Sequence, residues 1–533
     1  MKFLVPWFAW IVCALPAAER PNIVFILADD LGIGDIKSYG GERCRIETPN
    51  IDALAAGGLR FTDAHASTSV CGPTRRALMT GRHEWRFTAP VNNGPWGFCG
   101  PRPNTEKSTL GKVLKRSGYR TGYVGKWHLG TIMPTLDGKT QGPTNVDYAK
   151  PLTYGPVQFG FDQSFILPGS LDMYPYAFAR NHVWEGEITA QKGDSSFQRV
   201  GPAEKDFDFH QVLETFYKEA ESYIAKQSEK EPFFLYLALT GPHTPISPGA
   251  KWQGKSKLGV YGDFVMEVDH AVERVMNALK QKGLDQNTLV LFSSDQGAAS
   301  YAGNVLKATP GQIHRLEEQG HYPGGQYKGY KFSIYEGGLR VPLIAHWPGV
   351  IPAGTTSAAL VALNDLITTF ADLTGVSLGS EEAPDSISFA PVLRDHKARS
   401  NRQQFIMQSA LECFAVRDGD WKLCLSPGSG APDEWLIEPL SEPSWKAAVA
   451  AFGRNPTRED LKAAPFVQLF NLADDPHEDR NLAASHHDRV AAMVALLERS
   501  IDGGRSTPGP PLKNDKKVVI HQRLPDFIRA VVK

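Results

Sequence analysis

The chain has 533 residues, too many for one ordinary core and enough for a large domain with a smaller companion. Its 57 basic residues balance 58 acidic ones, which excludes a chain-wide electrostatic case for binding nucleic acid or an anionic membrane surface. Affinity for an anionic substrate therefore has to come from a local cluster.

Lys2, the apolar stretch Phe3 to Leu15 and the small residues Pro16-Ala17-Ala18 predict an export signal over residues 1–18. That stretch is too short to span a bilayer comfortably, and no later run has spanning length. The expected product is exported, periplasmic or secreted, with no membrane span. From Pro21 onward, short apolar runs alternate with amphipathic stretches, the pattern of a mostly parallel sheet flanked by helices. Strands are predicted at Ile23–Leu27, Tyr119–Val124, Phe233–Leu239, Leu289–Phe292 and Val341–His346. Helices are predicted over 108–116, 209–226 and 264–280. The stretch 131–206, rich in Pro, Gly and aromatics, lacks periodicity and reads as loops folded over the catalytic face or as structural packing.

After about Asp395 the pattern changes to hairpins and a helix over 488–499, then a Pro- and Lys-rich tail from Gly503 lying extended over the surface. The predicted architecture is α/β, with a large mostly parallel central sheet and a smaller C-terminal α+β domain containing an antiparallel sheet. The domains expected are 19–395, catalytic, and 396–533, the smaller domain and tail. Export permits disulfides. A two-residue turn at Asp418-Gly419 would set Cys413 opposite Cys424, so a cross-strand disulfide is expected there.

Polar residues gather where the strands end, the place at which open parallel sheets bind ligands. Asp29-Asp30 follow the first strand, Lys126 and His128 the second, His243 the third and Asp295-Gln296 the fourth. A lone Asp after a strand is commonly a helix cap, but that reading does not explain the second pair, Asp295-Gln296.

Between the first two strands lies Ser69-Val70-Cys71-Gly72-Pro73-Thr74-Arg75-Arg76. A buried cysteine is ordinarily just a small apolar residue. A cysteine phosphatase loop needs an arginine six positions on, where this chain has Ala77, and the absence of any Cys-x-x-Cys argues against zinc. The spacing Cys-x-Pro-x-Arg resembles the signature of the sulfatase family, in which a maturing enzyme oxidises that cysteine to formylglycine. Gly118 to His128 resembles the second signature of the same family, and Lys331 resembles its sulfate-contacting lysine. Leu469-Phe470-Asn471-Leu472 ahead of Asp474-Asp475-Pro476 is similar to its ending.

The resemblance implies an arylsulfatase A-like sulfuric ester hydrolase with an alkaline phosphatase-like fold. Its implied substrate is a sulfated carbohydrate or aryl sulfate, and its implied partner a formylglycine-generating or sulfatase-maturing enzyme. It implies Cys71, Arg75, Lys126, His128, His243 and Lys331 as catalytic residues. The oxygen donors Asp29, Asp30, Asp295 and Gln296, joined by the converted Cys71, suit one hard cation, Ca2+, better than zinc. Two positions depart from the family pattern: Gln296 replaces the usual Asn or His, and Thr74 the usual Ser. A phosphate or phosphonate ester hydrolase is the competing enzyme, though it would ask for further metal ligands. A non-catalytic glycan-binding protein would be expected to have lost these reacting groups. His83, Glu84, Trp85 and Arg86 either contact a sugar or end a surface helix, while His182, Trp184 and Trp252 are candidate pocket-lining residues.

Overall fold

The computed structural model describes residues 20–193, 198–302, 313–431 and 463–520. The predicted export signal lies outside them. A ten-stranded sheet forms the centre, in the order Thr355–Ser357, Leu59–Phe61, Leu343–His346, Thr288–Ser294, Asn22–Asp29, Phe233–Pro242, Arg120–Lys126, Gln163–Leu167, Ala179–Arg180, Val183–Trp184. The five strands from Thr288–Ser294 to Gln163–Leu167 run parallel. Helices cover both faces, so a central strand such as Asn22–Asp29 is buried along its whole length and reads as an unbroken apolar run.

The predicted strands and helices are present with shifted ends. Helix Leu110–Arg116 starts where Thr109 accepts a hydrogen bond from the Lys112 amide. Helix Val260–Gln281 buries Tyr261, Phe264, Val265, Val268, Val272, Val275 and Leu279, a stripe at three- and four-residue spacing. Leu343–His346 joins the sheet antiparallel to both its neighbours. Within 131–206, expected to be loop, the strand Gln163–Leu167 adds a fifth parallel member.

A separate four-stranded antiparallel sheet follows, formed by Gln404–Gln408, Phe414–Asp418, Trp421–Leu425 and Val467–Asn471. Helix His487–Asp502 lays Met493 and Leu497 on its apolar face. The hairpin turns at Gly419-Asp420, with Asp418 paired to Trp421, so Cys424 faces Ala415 and both Cys413 and Cys424 are free thiols. The expected disulfide is therefore absent. Gly419, at φ 59°, takes the left-handed position and moves the turn one residue along, which shifts the pairing by two.

The segment after Gly503 is tied down at several points: Leu512 N donates to Gly503 O, and Asp515 pairs with Arg82 at 2.9 Å. No helix among the described residues is long and apolar enough to cross a membrane.

Candidate active site

Four of the five parallel strands each deliver a polar group to the same end of the sheet. Asn22–Asp29 ends on Asp29, Arg120–Lys126 on Lys126, while His243 and Asp295 directly follow Phe233–Pro242 and Thr288–Ser294. Asp30 adopts φ 61°, a left-handed conformation Asp tolerates better than most residues. Its amide donates to Asp295 Oδ1 at 3.1 Å. Gly125, at φ 120°, lies where a Cβ would come within 1.8 Å of the Ala238 carbonyl oxygen, so glycine lets the Lys126 strand approach its neighbour.

Cys71 opens the helix Cys71–Thr80, whose N-terminus has no side-chain cap. Its Sγ is 3.9 Å from Asp30 Oδ1 and 3.4 Å from Gln296 Nε2. Arg75, buried one turn along, donates from Nε to Asp295 Oδ2 at 2.9 Å and stands 3.4 Å from Asp29 Oδ1. Lys126 Nζ donates to Asp29 Oδ2 at 2.7 Å, and Lys331 Nζ to Asp30 Oδ2 at 2.8 Å. Backbone bonds hold Lys331 beside the Cys71 segment: Lys331 N donates to Ala298 O and Phe332 N to Ser69 O, both at 2.8 Å.

His243 Nε2 lies 3.6 Å from Asp30 Oδ2, and its Nδ1 contacts Thr244 O. His128, at φ 53°, sits on the Gly72 side, where a Cβ built on Gly72 would be 3.6 Å from His128 Cε1. The ten catalytic and metal-holding positions read from the sequence thus converge, while Thr74 contributes structure, its hydroxyl bonding Thr68 O. His83, Glu84, Trp85 and Arg86 instead pack inside: Arg86 pairs with Asp385 at 2.8 Å, and Glu84 with Arg76 at 2.8 Å. Trp184 meets Tyr148 and Trp252 meets His270, contacts that do not involve the Cys71 cluster.

Burial pushes the Cys71 thiol up to about 12 despite Lys126 and Lys331 beside it. An unmodified thiol here is protonated at neutral pH and is a weak nucleophile. Burial also drives the carboxylates up, but at Asp29 the charges of Lys126, His243, Arg75 and Lys331 prevail and hold it well below the usual range. Asp295, facing Asp29 and Asp30 with only Arg75 close by, is pushed up to about 7 by burial. Burial and Lys331 lower His243 to about 4, and burial, Lys126 and Arg75 hold His128 well below the usual imidazole range, which favours the neutral form of both.

Ligand atoms of Asp29, Asp30, Cys71 and His243 lie within 4.8 Å of one another, a spacing that fits a single metal ion. Gln296 Oε1 is buried without a hydrogen-bond partner, while its Nε2 points at Asp30 Oδ1 and Cys71. The two amide orientations have the same shape, and the flipped one offers oxygen to that cluster. Oxygen-rich and irregular, the donor set fits calcium. His243, expected as a sulfate contact, is one of the four residues spaced for a metal ion.

The model of the Sulfatase family matches residues 21–376. The chain belongs to the sulfatase family. It is 30% identical over 526 residues to an N-acetylgalactosamine-6-O-sulfatase of Bacteroides thetaiotaomicron, covering 90% of this chain and 93% of that protein. Human arylsulfatase D is also 30% identical, over 92% of this chain and 88% of its own length. A structure solved in work on the metabolism of multiple glycosaminoglycans by Bacteroides thetaiotaomicron superposes with a TM-score of 0.73 at 28% identity, covering 90% of this chain and 99% of that one. A sulfatase from Pseudoalteromonas sp. shares the fold at TM-score 0.66 and 24% identity, over 90% of each chain. This sulfatase is accordingly a sulfuric ester hydrolase. Sequence reasoning missed Asp172, whose Oδ1 lies 4.0 Å from His243 Nδ1; a single Asp in an aperiodic stretch carries no signal.

Proposed function

We propose that this sulfatase removes sulfate from a sulfated sugar, using formylglycine made from Cys71 and one bound calcium ion. The observation that carries the reading is the buried Cys71 cluster, in which the thiol itself is too weakly acidic to attack while fixed cations surround it. Several relatives act, by name, on N-acetylgalactosamine 6-sulfate, which supports a sugar substrate. The hydrated aldehyde would supply the attacking oxygen, and calcium, held by Asp29, Asp30, Asp295 and Gln296, would offset charge on that oxygen and on the sulfate.

The remaining work falls to the chain's own groups. Arg75 and Lys126 fix the position-71 side chain, through Asp295 and Asp29 respectively. Asp295, near the position-71 side chain, accepts a proton from the attacking hydroxyl. Lys331 and His243 hold the sulfate oxygens, and His243 delivers a proton to the departing alcohol once the bound anion raises its basicity. Neutral His128, on the Gly72 side, takes the proton that must leave when sulfate is released.

In this reading residues 19–395 form the catalytic domain and 396–533 the smaller one. A maturing enzyme is the required partner, and the protein works after export. Cys71→Ala should abolish turnover of a chromogenic aryl sulfate, by at least about a thousandfold, with an unchanged melting curve. Peptide mass spectrometry of active protein should show the aldehyde at position 71. An active preparation bearing only the thiol rejects the reading.

A further inference from the structure

Beyond strand Gln163–Leu167 the chain passes close to His128, whose amide donates to Pro168 O at 3.1 Å, and Ser170 bridges to Met173. This brings Asp172 to the catalytic end of the sheet, only 3% exposed. Its Oδ2 accepts from Arg199 Nη1 at 3.1 Å, and the same nitrogen reaches the Asp172 carbonyl at 2.9 Å. Its Oδ1, 4.0 Å from His243 Nδ1, has no hydrogen-bond partner among the described residues. Three hydroxyls close in sequence to Asp172 or His243, Ser170 Oγ, Thr240 Oγ1 and Thr244 Oγ1, are buried and without a hydrogen-bond partner among the described residues as well.

Orienting His243 does not account for Asp172, because His243 Nδ1 already contacts Thr244 O. Nor does attraction of the substrate: a carboxylate beside a sulfate pocket repels the anion. Burial raises the proton affinity of Asp172, so the arrangement costs stability in the ligand-free protein. An acceptor kept in that position is satisfied by a donor the substrate brings. Sulfate and an aromatic ring bring none, whereas a pyranose brings several hydroxyls.

Arg199 is itself held at the rim. Its guanidinium stacks 3.5 Å from the centroid of the Trp96 ring, and Trp96 is 45% exposed. A continuous line of contacts, Trp96 to Arg199 to Asp172 to His243, therefore runs from the surface to the Cys71 cluster.

We propose that Asp172 is a specificity-determining residue, whose Oδ1 accepts a hydrogen bond from a hydroxyl of the sugar ring bearing the sulfate. Resting on the sulfated-sugar reading, the assignment is tested with two probes, N-acetylgalactosamine 6-sulfate and 4-nitrophenyl sulfate, on matured protein. Asp172→Ala should lower kcat/KM on the sugar roughly 100-fold while changing it less than about threefold on the aryl sulfate. Asp172→Asn, which retains an uncharged acceptor, should lose roughly tenfold on the sugar alone. Equal losses on both probes would make Asp172 a support for His243 or for the fold, and unchanged sugar turnover would leave it no role; either overturns the assignment. The sugar reading fails separately, if the wild-type protein cleaves the aryl sulfate and no sulfated sugar.

Discussion

Asp29 and Asp295 are one residue type in one buried site, yet their proton affinities move in opposite directions. Proximity to fixed positive charge decides which way: Lys126 lies against Asp29, whereas Asp295 has only Arg75, which it shares with Asp29. Asp295 binds its proton more tightly folded than unfolded. In cation-free protein that contribution to stability is full below about pH 4 and is lost as the pH rises to about 7. A bound divalent cation compensates the ionised form. Chelation should therefore lower the melting temperature by several degrees at pH 8 and by clearly less at pH 5.5, with calcium restoring it; scanning calorimetry at the two pH values checks this. Asp29-Asp30 and Asp295-Gln296 were legible in the sequence because each closes a recognisable strand. Asp172 was not, since its position depends on how an aperiodic loop is laid over the sheet.

Helix Cys71–Thr80 carries the reacting position at one end and a conformational demand at the other. Gly81 ends it at φ 64°, and a Cβ there would meet Ile367 Cγ2 at 2.5 Å and Ala383 Cβ at 2.6 Å. Gly81→Ala should cost roughly 2–4 kcal/mol, combining left-handed strain with overpacking, as measured by urea unfolding. Hydrophobic runs located the elements well because burial on both faces imposes apolar residues regardless of partner. Pairing was harder to read. Placing the hairpin turn one residue early predicted a disulfide that the actual register forbids, since Cys424 faces Ala415. The strand Gln163–Leu167 escaped notice because five residues flanked by loops give too short a pattern to separate from core packing.

At the scale of the whole molecule, the antiparallel sheet grips the segment that carries Lys331. Lys422 Nζ reaches Glu336 Oε1 at 3.0 Å and Glu478 Oε1 at 2.8 Å, while the Glu336 amide donates to Glu478 Oε2 at 2.6 Å. His65 and Arg340 complete Glu336, both at under 3 Å, at 2.8 and 2.7 Å. Lys422→Met removes the cation shared by two buried carboxylates, leaving Glu478 without its ion-pair partner while Glu336 keeps Arg340. It should cost about 3–5 kcal/mol, read from denaturant unfolding. The general architecture, a parallel sheet followed by an antiparallel one, was apparent from the change in pattern near Asp395. This ionic junction was not, because it joins residues 86 and 142 positions apart whose pairing no local pattern records.

Cys71 is 3% exposed at the base of a helix, with Gln296 against its sulfur and Phe332 hydrogen-bonded to Ser69 next to it. An enzyme that must seize the stretch from Cys71 to Arg75 finds no handle on the finished molecule, where Arg75 is buried too. On the proposed function, conversion would be a matter of timing: the oxidation would have to reach this thiol while the chain is still unfurled, and a molecule that closed first would forfeit that chemistry.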